Sequence, residues 1–367
     1  VPTYNLPPDT RAIGTGNPPA DMNSVVDVLN HTTLQRVFYI DQYGADPTGA
    51  ALSDAAWTAC YADALAAVQT HGGSMVVFGG GWYKFSVATI AIADTRVGLR
   101  GQGRVATYIW TAGNTGSLVK VTGTTGPGPQ GSAPVSGFTV YGWNAGAGVV
   151  GLEYGDRYGG TLTDVSSAGF QGAGGMGYWF HDATSLSEKS FIAVDANQNT
   201  DDFVFQGNAT TGSFDYSHII LGAVSSTSGG LSGAMLKIIG HMQITGSYFQ
   251  LTGNLSATTG LTKTCMVIGN SGSDVSVLLG CTVQIMVEAD TSAGTIVDAT
   301  IQGASGFGID KCHGVIYFQN VSGTWGAGTV TAPAVFRCAG YLNGPLFSGH
   351  GTLTALGTGS QLFTYVG

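Results

Sequence analysis

The sequence predicts an all-β fold, a parallel β-helix closed at one end by an α-helix. Three observations carry that expectation. Glycine is 59 of 367 residues, charged residues are 10% and hydrophobic residues 43%, a balance that suits many short strands joined by tight turns and opposes disorder. One stretch alone after the N-terminal segment has sustained helical spacing. Beyond it, short apolar runs recur at roughly 10–25-residue intervals with no helix between them.

Residues 1–21, rich in Pro, Gly and Asn, read as an extended arm. Met22–Leu34 follows as a short amphipathic helix with Asp21 as its N-cap. Arg36–Ile40 is a β-type run. Residues 1–40 therefore read as an attachment or oligomerisation segment, and 41–367 as the β-helix domain. Ser53 N-caps a helix over about 53–70, with Trp57, Cys60, Tyr61, Ala64, Leu65 and Val68 at helical spacing and Gly72-Gly73 past its last turn. Met75–Phe78 is a short strand, Gly79–Gly81 a turn, and Trp82–Phe85 starts another strand. Further runs include Phe138–Tyr141, Tyr178–Phe180, Phe203–Phe205, Gln243–Phe249 and Val283–Val287. Gly, Asn, Asp or Ser separates nearly all of them. The turns vary too much for a propeller blade, and a single helix ahead of a strand array suits a stack of coils that needs its apolar end covered. Coils should begin near residue 75.

A net charge of −9 with no Lys/Arg run argues against nucleic acid or an anionic membrane surface as a partner. No window of 18 apolar residues exists to span a bilayer. The proline-rich Val1–Thr10 lacks the apolar region of a signal peptide. Cys60, Cys265, Cys281, Cys312 and Cys338 are odd in number and widely spaced, and read as reduced, mostly buried thiols. No CxxC or H-E-x-x-H is present, so no metal or other cofactor is expected, and without G-x-S-x-G a serine hydrolase of that type is unsupported. Gly101-Gln-Gly-Arg-Val-Ala106 fits a dinucleotide loop, but β-type Thr107–Trp110 follows where a helix is needed, so it reads as a coil turn.

Tyr43 to Phe85 resembles the entry module of pectate-lyase-like right-handed β-helix proteins. Gly44-Ala-Asp-Pro-Thr-Gly49 is the turn, and it is followed by a Ser/Asp-capped helix, Gly-Gly and a short valine strand. The chain departs from the pattern at Gly79–Gly81, where a proline is usual. Leu99–Arg104 with Ala106-Thr107 looks like the next coil. Arg11–Asp27, Gly151–Gly160, Gly177–Asp182 and Glu188-Lys189 are similar to segments of minor tail or tail-spike proteins of actinobacterial viruses. That resemblance implies a homotrimeric spike located in the virion tail and meeting the outer surface of the host. Its partners would be a bacterial surface polysaccharide and, through the N-terminal arm, other tail proteins.

Cutting a glycan needs two carboxylates, about 5–5.5 Å apart for retention and about 6.5–9.5 Å for inversion. Adjacent coils can supply such a pair across about 4.8 Å. Glu153, Asp156, Glu188 and Asp215 are the catalytic candidates, drawn from a wider set with Asp164, Asp182, Asp195, Asp201, Asp202 and Glu288. Asp201 and Asp202 are neighbours on a strand and should point to opposite faces. A lyase needs a base and a cation, and Arg157, Lys189, Lys237 and Lys263 show no clustering. In Tyr178-Trp-Phe-His-Asp182, Tyr178 and Phe180 share one face and Trp179 and His181 the other. Tyr178, Trp179 and His181 are the carbohydrate-binding candidates. The expectation is a spike that binds an envelope glycan. An active depolymerase and a purely structural tail component are the alternatives.

Overall fold

In a computed structural model the chain is a right-handed parallel β-helix. The structure describes residues 36–125, 132–143, 145–181, 187–207, 212–227, 232–257, 262–270, 273–291, 295–301, 308–310, 312–320 and 338–343. The expected arm and the helix over Met22–Leu34 lie outside these residues.

Among the described residues every strand pairing is parallel. The largest sheet, sheet A, has 13 strands. It runs β1 (Val37–Tyr39), β2 (Ser74–Val77), β5 (Val97–Arg100), β8 (Val135–Gly142), β10 (Thr161–Ala168), β13 (Phe191–Asn197), β16 (His218–Thr227), β19 (Tyr248–Ala257), β22 (Thr282–Thr291), β25 (Cys312–Asn320) and β26 (Cys338–Asn343), with β3 (Gly81–Lys84) and β6 (Thr107–Thr111) joining at its side. Sheet B has 8 strands, from β4 (Ile90–Asp94) through β7 (Gly116–Thr125), β9 (Val149–Gly155), β11 (Met176–His181), β14 (Asp201–Gln206), β17 (Ser232–Ile239) and β20 (Thr262–Ile268) to β23 (Thr295–Ile301). Sheet C stacks the short β12 (Ser187–Glu188), β15 (Gly212–Asp215), β18 (Met242–Thr245), β21 (Val277–Leu279) and β24 (Gly308–Asp310).

Helix α1 covers Asp54–His71 and ends at Gly72, which has φ 77. Trp57, Cys60, Ala64 and Val68 form its buried face. Trp57 stacks on Phe78 with ring centroids 6.3 Å apart, so the helix seals the first coil. Ser53 stands at the N-cap position, but its Oγ accepts from the Asp46 amide instead of the helix. The Asp46 carboxylate in turn accepts from the amides of Thr48 and Ala51, which ties the entry turn to the helix start. β1 already pairs with β2, from Val37↔Met75 to Tyr39↔Val77. The sheet therefore begins ahead of the helix, not near residue 75. Gln243–Phe249 is two strands, because Gly246 turns the corner between them at φ 58.

In-register pairing lines up like side chains inside the coils. Ile192, Ile219, Phe249 and Val283 form one row, and Val194, Leu221, Leu251 and Ile285 the next. Phe180 and Phe205 stack at 4.5 Å, and Tyr178 and Phe203 at 5.3 Å. A polar row occupies the corner before sheet A. The Ser190 amide donates to Ser217 Oγ, the Ser217 amide to Ser247 Oγ, and the Cys281 amide to Cys312 Sγ. Cys60, Cys265, Cys281 and Cys312 are buried thiols in no disulfide, as expected.

Among the described residues one ion pair lies wholly inside. Lys263 Nζ donates to Asp202 Oδ2 at 2.7 Å and to the Asn199 carbonyl at 3.0 Å, and both charged side chains have zero exposure. Burial pushes the Asp202 carboxyl upward, against the pull of Lys263 and Asn199. Removing one partner strands a charge in the interior, whereas removing both does not. Lys263→Met alone should cost about 3–5 kcal/mol in a urea titration, and adding Asp202→Leu should restore most of it.

Candidate functional site

Two rows of outward side chains run along sheet A. The first follows the register Trp82↔Tyr108↔Thr139↔Ser166↔Asp195↔Gly222↔Thr252, and the second Lys84↔Trp110↔Tyr141↔Ala168↔Asn197↔Val224↔Asn254. Large aromatic rings gather at the end nearest the capping helix. Trp82 and Tyr108 stack at 4.1 Å and 4°, Trp82 meets Tyr141 edge-on at 5.9 Å, and Tyr141 contacts Trp143 at 5.8 Å. Trp82 is 42% and Trp143 55% exposed. Trp82, Trp110 and Trp143 line a recess of about 280 Å³ with Thr48. A second recess of about 490 Å³ continues from Tyr141 and Trp143 to Gln171 and Gln198. A third, about 520 Å³, runs from Arg104 past Asp195 and Asn197 to Asn254. Together they make an open groove that is aromatic at one end and polar at the other.

Asp195 lines the polar end of the groove, and a second carboxylate stands beside it. Register slips between Thr163 and Val165, and the bulge turns Asp164 outward at φ 53. Asp164 and Asp195 then flank one guanidinium. Arg104 ion-pairs with Asp195 and lies 3.6 Å from Asp164. All three side chains are about half exposed, so the trio contributes little to stability.

The candidate residues fall elsewhere. Glu153 and His181 meet on the outer face of sheet B, where they form a buried knot. Glu153 Oε1 accepts from Lys120 Nζ at 2.7 Å and contacts His181 Nε2 at 2.8 Å, and its Oε2 accepts from Ser117 Oγ at 2.5 Å. Burial alone would raise the Glu153 carboxyl. The hydrogen bonds from His181, Lys120 and Ser117 outweigh it and hold the group at about 2. An ionised carboxylate 3% exposed and fully bonded has no proton to give a leaving group at neutral pH, which removes Glu153 as a general acid. Asp156 is buried in the turn after β9, at φ 52.

Tyr178 is a correction. It is fully buried, and its hydroxyl bonds to the carbonyls of Val165 and Asp195, so it belongs to the core and cannot stack on a sugar. Trp179 and His181 do share the outer face, with rings 4.5 Å apart, but His181 is 7% exposed. Asp182 and the Glu288 side chain lie outside the described residues. Asp201 and Asp202 do diverge, Asp201 to Lys237 at 2.6 Å and Asp202 to the interior Lys263.

Glu188 and Asp215 do come together. They are register partners on β12 and β15, both half-buried on the outer face of sheet C. Ser213 Oγ donates to Asp215 Oδ2 at 3.0 Å, and Asp215 Oδ1 has no hydrogen-bond partner. Nearby are Lys189, which donates to Tyr158 at 2.7 Å, and Tyr216, 65% exposed. Sequence reasoning missed Trp82, Tyr108, Trp110, Tyr141 and Trp143. The signal available was their high density between 82 and 143 on alternating strand positions.

Lowering pH tests the knot on sheet B. Glu153 ionises in the fold at about 2, against an ordinary 4.5. Its contribution should be complete above the unfolded value and drain away as pH falls toward 2. Glu153→Gln should lower stability at pH 7 by about 2–3 kcal/mol, read from urea midpoints, and flatten that acid-side loss.

No family model and no curated protein matches the chain. Among solved structures it is similar to the A-module of a mannuronan C-5 epimerase from Azotobacter vinelandii, at 16% identity and a TM-score of 0.41, over 84% of this chain and 94% of that one. It is also similar to the ORF18 protein of Geobacillus virus E2, at 14% identity and TM-score 0.41, over 89% of this chain and 63% of that one. A third is the catalytic unit of an α-1,3-glucanase from Streptomyces thermodiastaticus, at 13% identity and TM-score 0.32, over 84% and 62%. At these identities and TM-scores the likeness goes no further than architecture, and the parallel β-helix itself is read from the strand pairing of this chain.

Proposed function

We propose that the protein binds a polysaccharide along the outer face of sheet A. The carrying observation is the cluster of exposed Trp82 and Trp143 with half-buried Tyr108, Trp110 and Tyr141, opening into a polar groove. Aromatic faces stack on the C–H faces of sugar rings, while hydroxyls, amides and charges fix orientation. The amides of Asn197 and Asn254 and the hydroxyls of Ser166 and Thr252 supply the polar part. Two rungs of sheet A lie about 4.8 Å apart, so an extended glycan laid along the axis meets a repeated surface.

In the fuller reading this is a phage tail spike or fibre. The groove would hold a host envelope glycan, and the segment 1–40 would attach a homotrimer to other tail proteins. The tail-protein resemblance of Arg11–Asp27, Gly151–Gly160, Gly177–Asp182 and Glu188-Lys189 supports it. Light scattering of the full chain at three times the protomer mass is the expected result for the trimer.

A second reading is depolymerisation at Glu188 and Asp215. Their position on adjacent rungs suits the spacing of about 5–5.5 Å that a retaining hydrolase uses, and Tyr158 and Tyr216 flank them. Prolonged incubation with a bound polysaccharide should shorten it, and Glu188→Gln or Asp215→Asn should stop that. An unchanged chain length at high protein concentration rules this reading out.

Binding itself is tested at Trp143, which is 55% exposed and plays no part in the core. Trp143→Ala should weaken retention on envelope polysaccharide roughly tenfold, the equivalent of about 1.4 kcal/mol. The thermal midpoint should stay where it is.

A further inference from the structure

We infer that the sheet A groove selects an uncharged glycan bearing apolar substituents, such as N-acetyl or O-acyl groups, and discriminates against uronate chains. This rests on the glycan-binding reading and adds the chemical class of the ligand.

Charge decides the first half. Among the described residues that line the three recesses, the charged ones are Arg104 and Asp195. Arg104 is already paired with Asp195 and has Asp164 3.6 Å away. Asp195 cancels Arg104 within the lining, and Asp164, beside Arg104, brings the trio to −1, within a chain of net charge −9. A uronate carboxylate entering there meets two carboxylates and a guanidinium already engaged. Like charges brought together in a partly dehydrated groove repel, and such repulsion is how a site rejects the wrong partner. The other polar groups, Ser166, Asn197, Thr252 and Asn254, are neutral hydroxyls and amides suited to sugar hydroxyls.

The recess at the capped end decides the second half. Its wall is Trp82, Trp110 and Trp143, whose polar groups are indole N–H donors, with Thr48, whose hydroxyl already donates to Asp46. About 280 Å³ holds one substituted ring. A bare sugar there would leave several hydroxyls facing indole carbons. A methyl-bearing acyl group instead places its apolar end where no hydrogen bond is lost. The nearby cation is Lys84, whose Nζ sits 4.9 Å from the centroid of the Trp110 ring and is held by that ring's face.

The experiment uses the full chain and three immobilised probes: oligomers of N-acetylglucosamine, unsubstituted glucan oligomers and oligogalacturonate. The N-acetylated oligomer should bind at least tenfold more tightly than the glucan, and the glucan more tightly than oligogalacturonate. Trp143→Ala should erase the preference for the N-acetylated probe. Asp164→Asn with Asp195→Asn, both on exposed side chains, should free Arg104 and raise oligogalacturonate binding about tenfold. Lys84→Met should change none of the rankings. Preferential binding of oligogalacturonate by the unmutated protein overturns the inference and leaves the glycan reading standing. Equal binding of glucan and N-acetylated oligomer overturns the apolar-substituent part. Binding of none of the three overturns both.

Discussion

The in-register stacking of one coil on the next is the constraint on which everything else depends. A coil has no core of its own, and its inward residues are buried only because equivalent residues lie one rung above and below. A slip of one residue would exchange the inner and outer faces of every strand that follows. The corner row makes the point in polar chemistry. Ser190, Ser217, Ser247, Cys281 and Cys312 hold one position in successive coils, each serving its neighbour's backbone. The cysteines there stand where earlier coils use serine, which explains why they are about one coil apart in sequence and buried. Cys338 continues the register opposite Cys312.

Where the register does slip, the consequence is local and useful. The bulge in β10 places Asp164 beside Arg104 and Asp195 without moving the inward row of Leu162 and Val165. A second irregularity, between Ile92 and Asp94 in β4, precedes the Thr95 and Val97 carbonyls that accept from the buried Arg157. The core thus sets which side chains face out, and bulges adjust the aim of a few.

Much of the architecture was legible from local sequence. The entry turn, the helix that starts after Ser53, its Gly72 stop and the facing of Tyr178 and Phe180 against Trp179 and His181 all follow from chemistry within a few residues; the Ser53 hydroxyl alone serves the turn instead of the helix. The site was less legible, because coils vary in length. Trp82, Trp110 and Trp143 are 28 and then 33 residues apart, and no fixed period assigns them to one surface. The same variability hid the meeting of Lys120, Glu153 and His181. Period-two alternation assigned a face within Tyr178–His181, but it could not choose which face was core. Tyr178 was offered to solvent because a tyrosine suits a sugar, yet its hydroxyl found two interior carbonyls and its ring completed the aromatic stack.

The polar chemistry of the shaft divides by what its charges are already doing. Glu153 spends its lone pairs on Lys120, His181 and Ser117, and Asp202 spends its own on Lys263 and Asn199. Such groups hold the coils together and have little left for a ligand. Arg104 and its two carboxylates are different, because half-exposed ion pairs in water contribute little to folding. Their place beside the groove is therefore poorly explained by stability alone. It is well explained if they set the charge that an incoming chain meets. The tryptophans beside them follow the same logic. Exposed indoles give up the stabilisation that burial would provide, and that stabilisation is recovered when a ligand covers them.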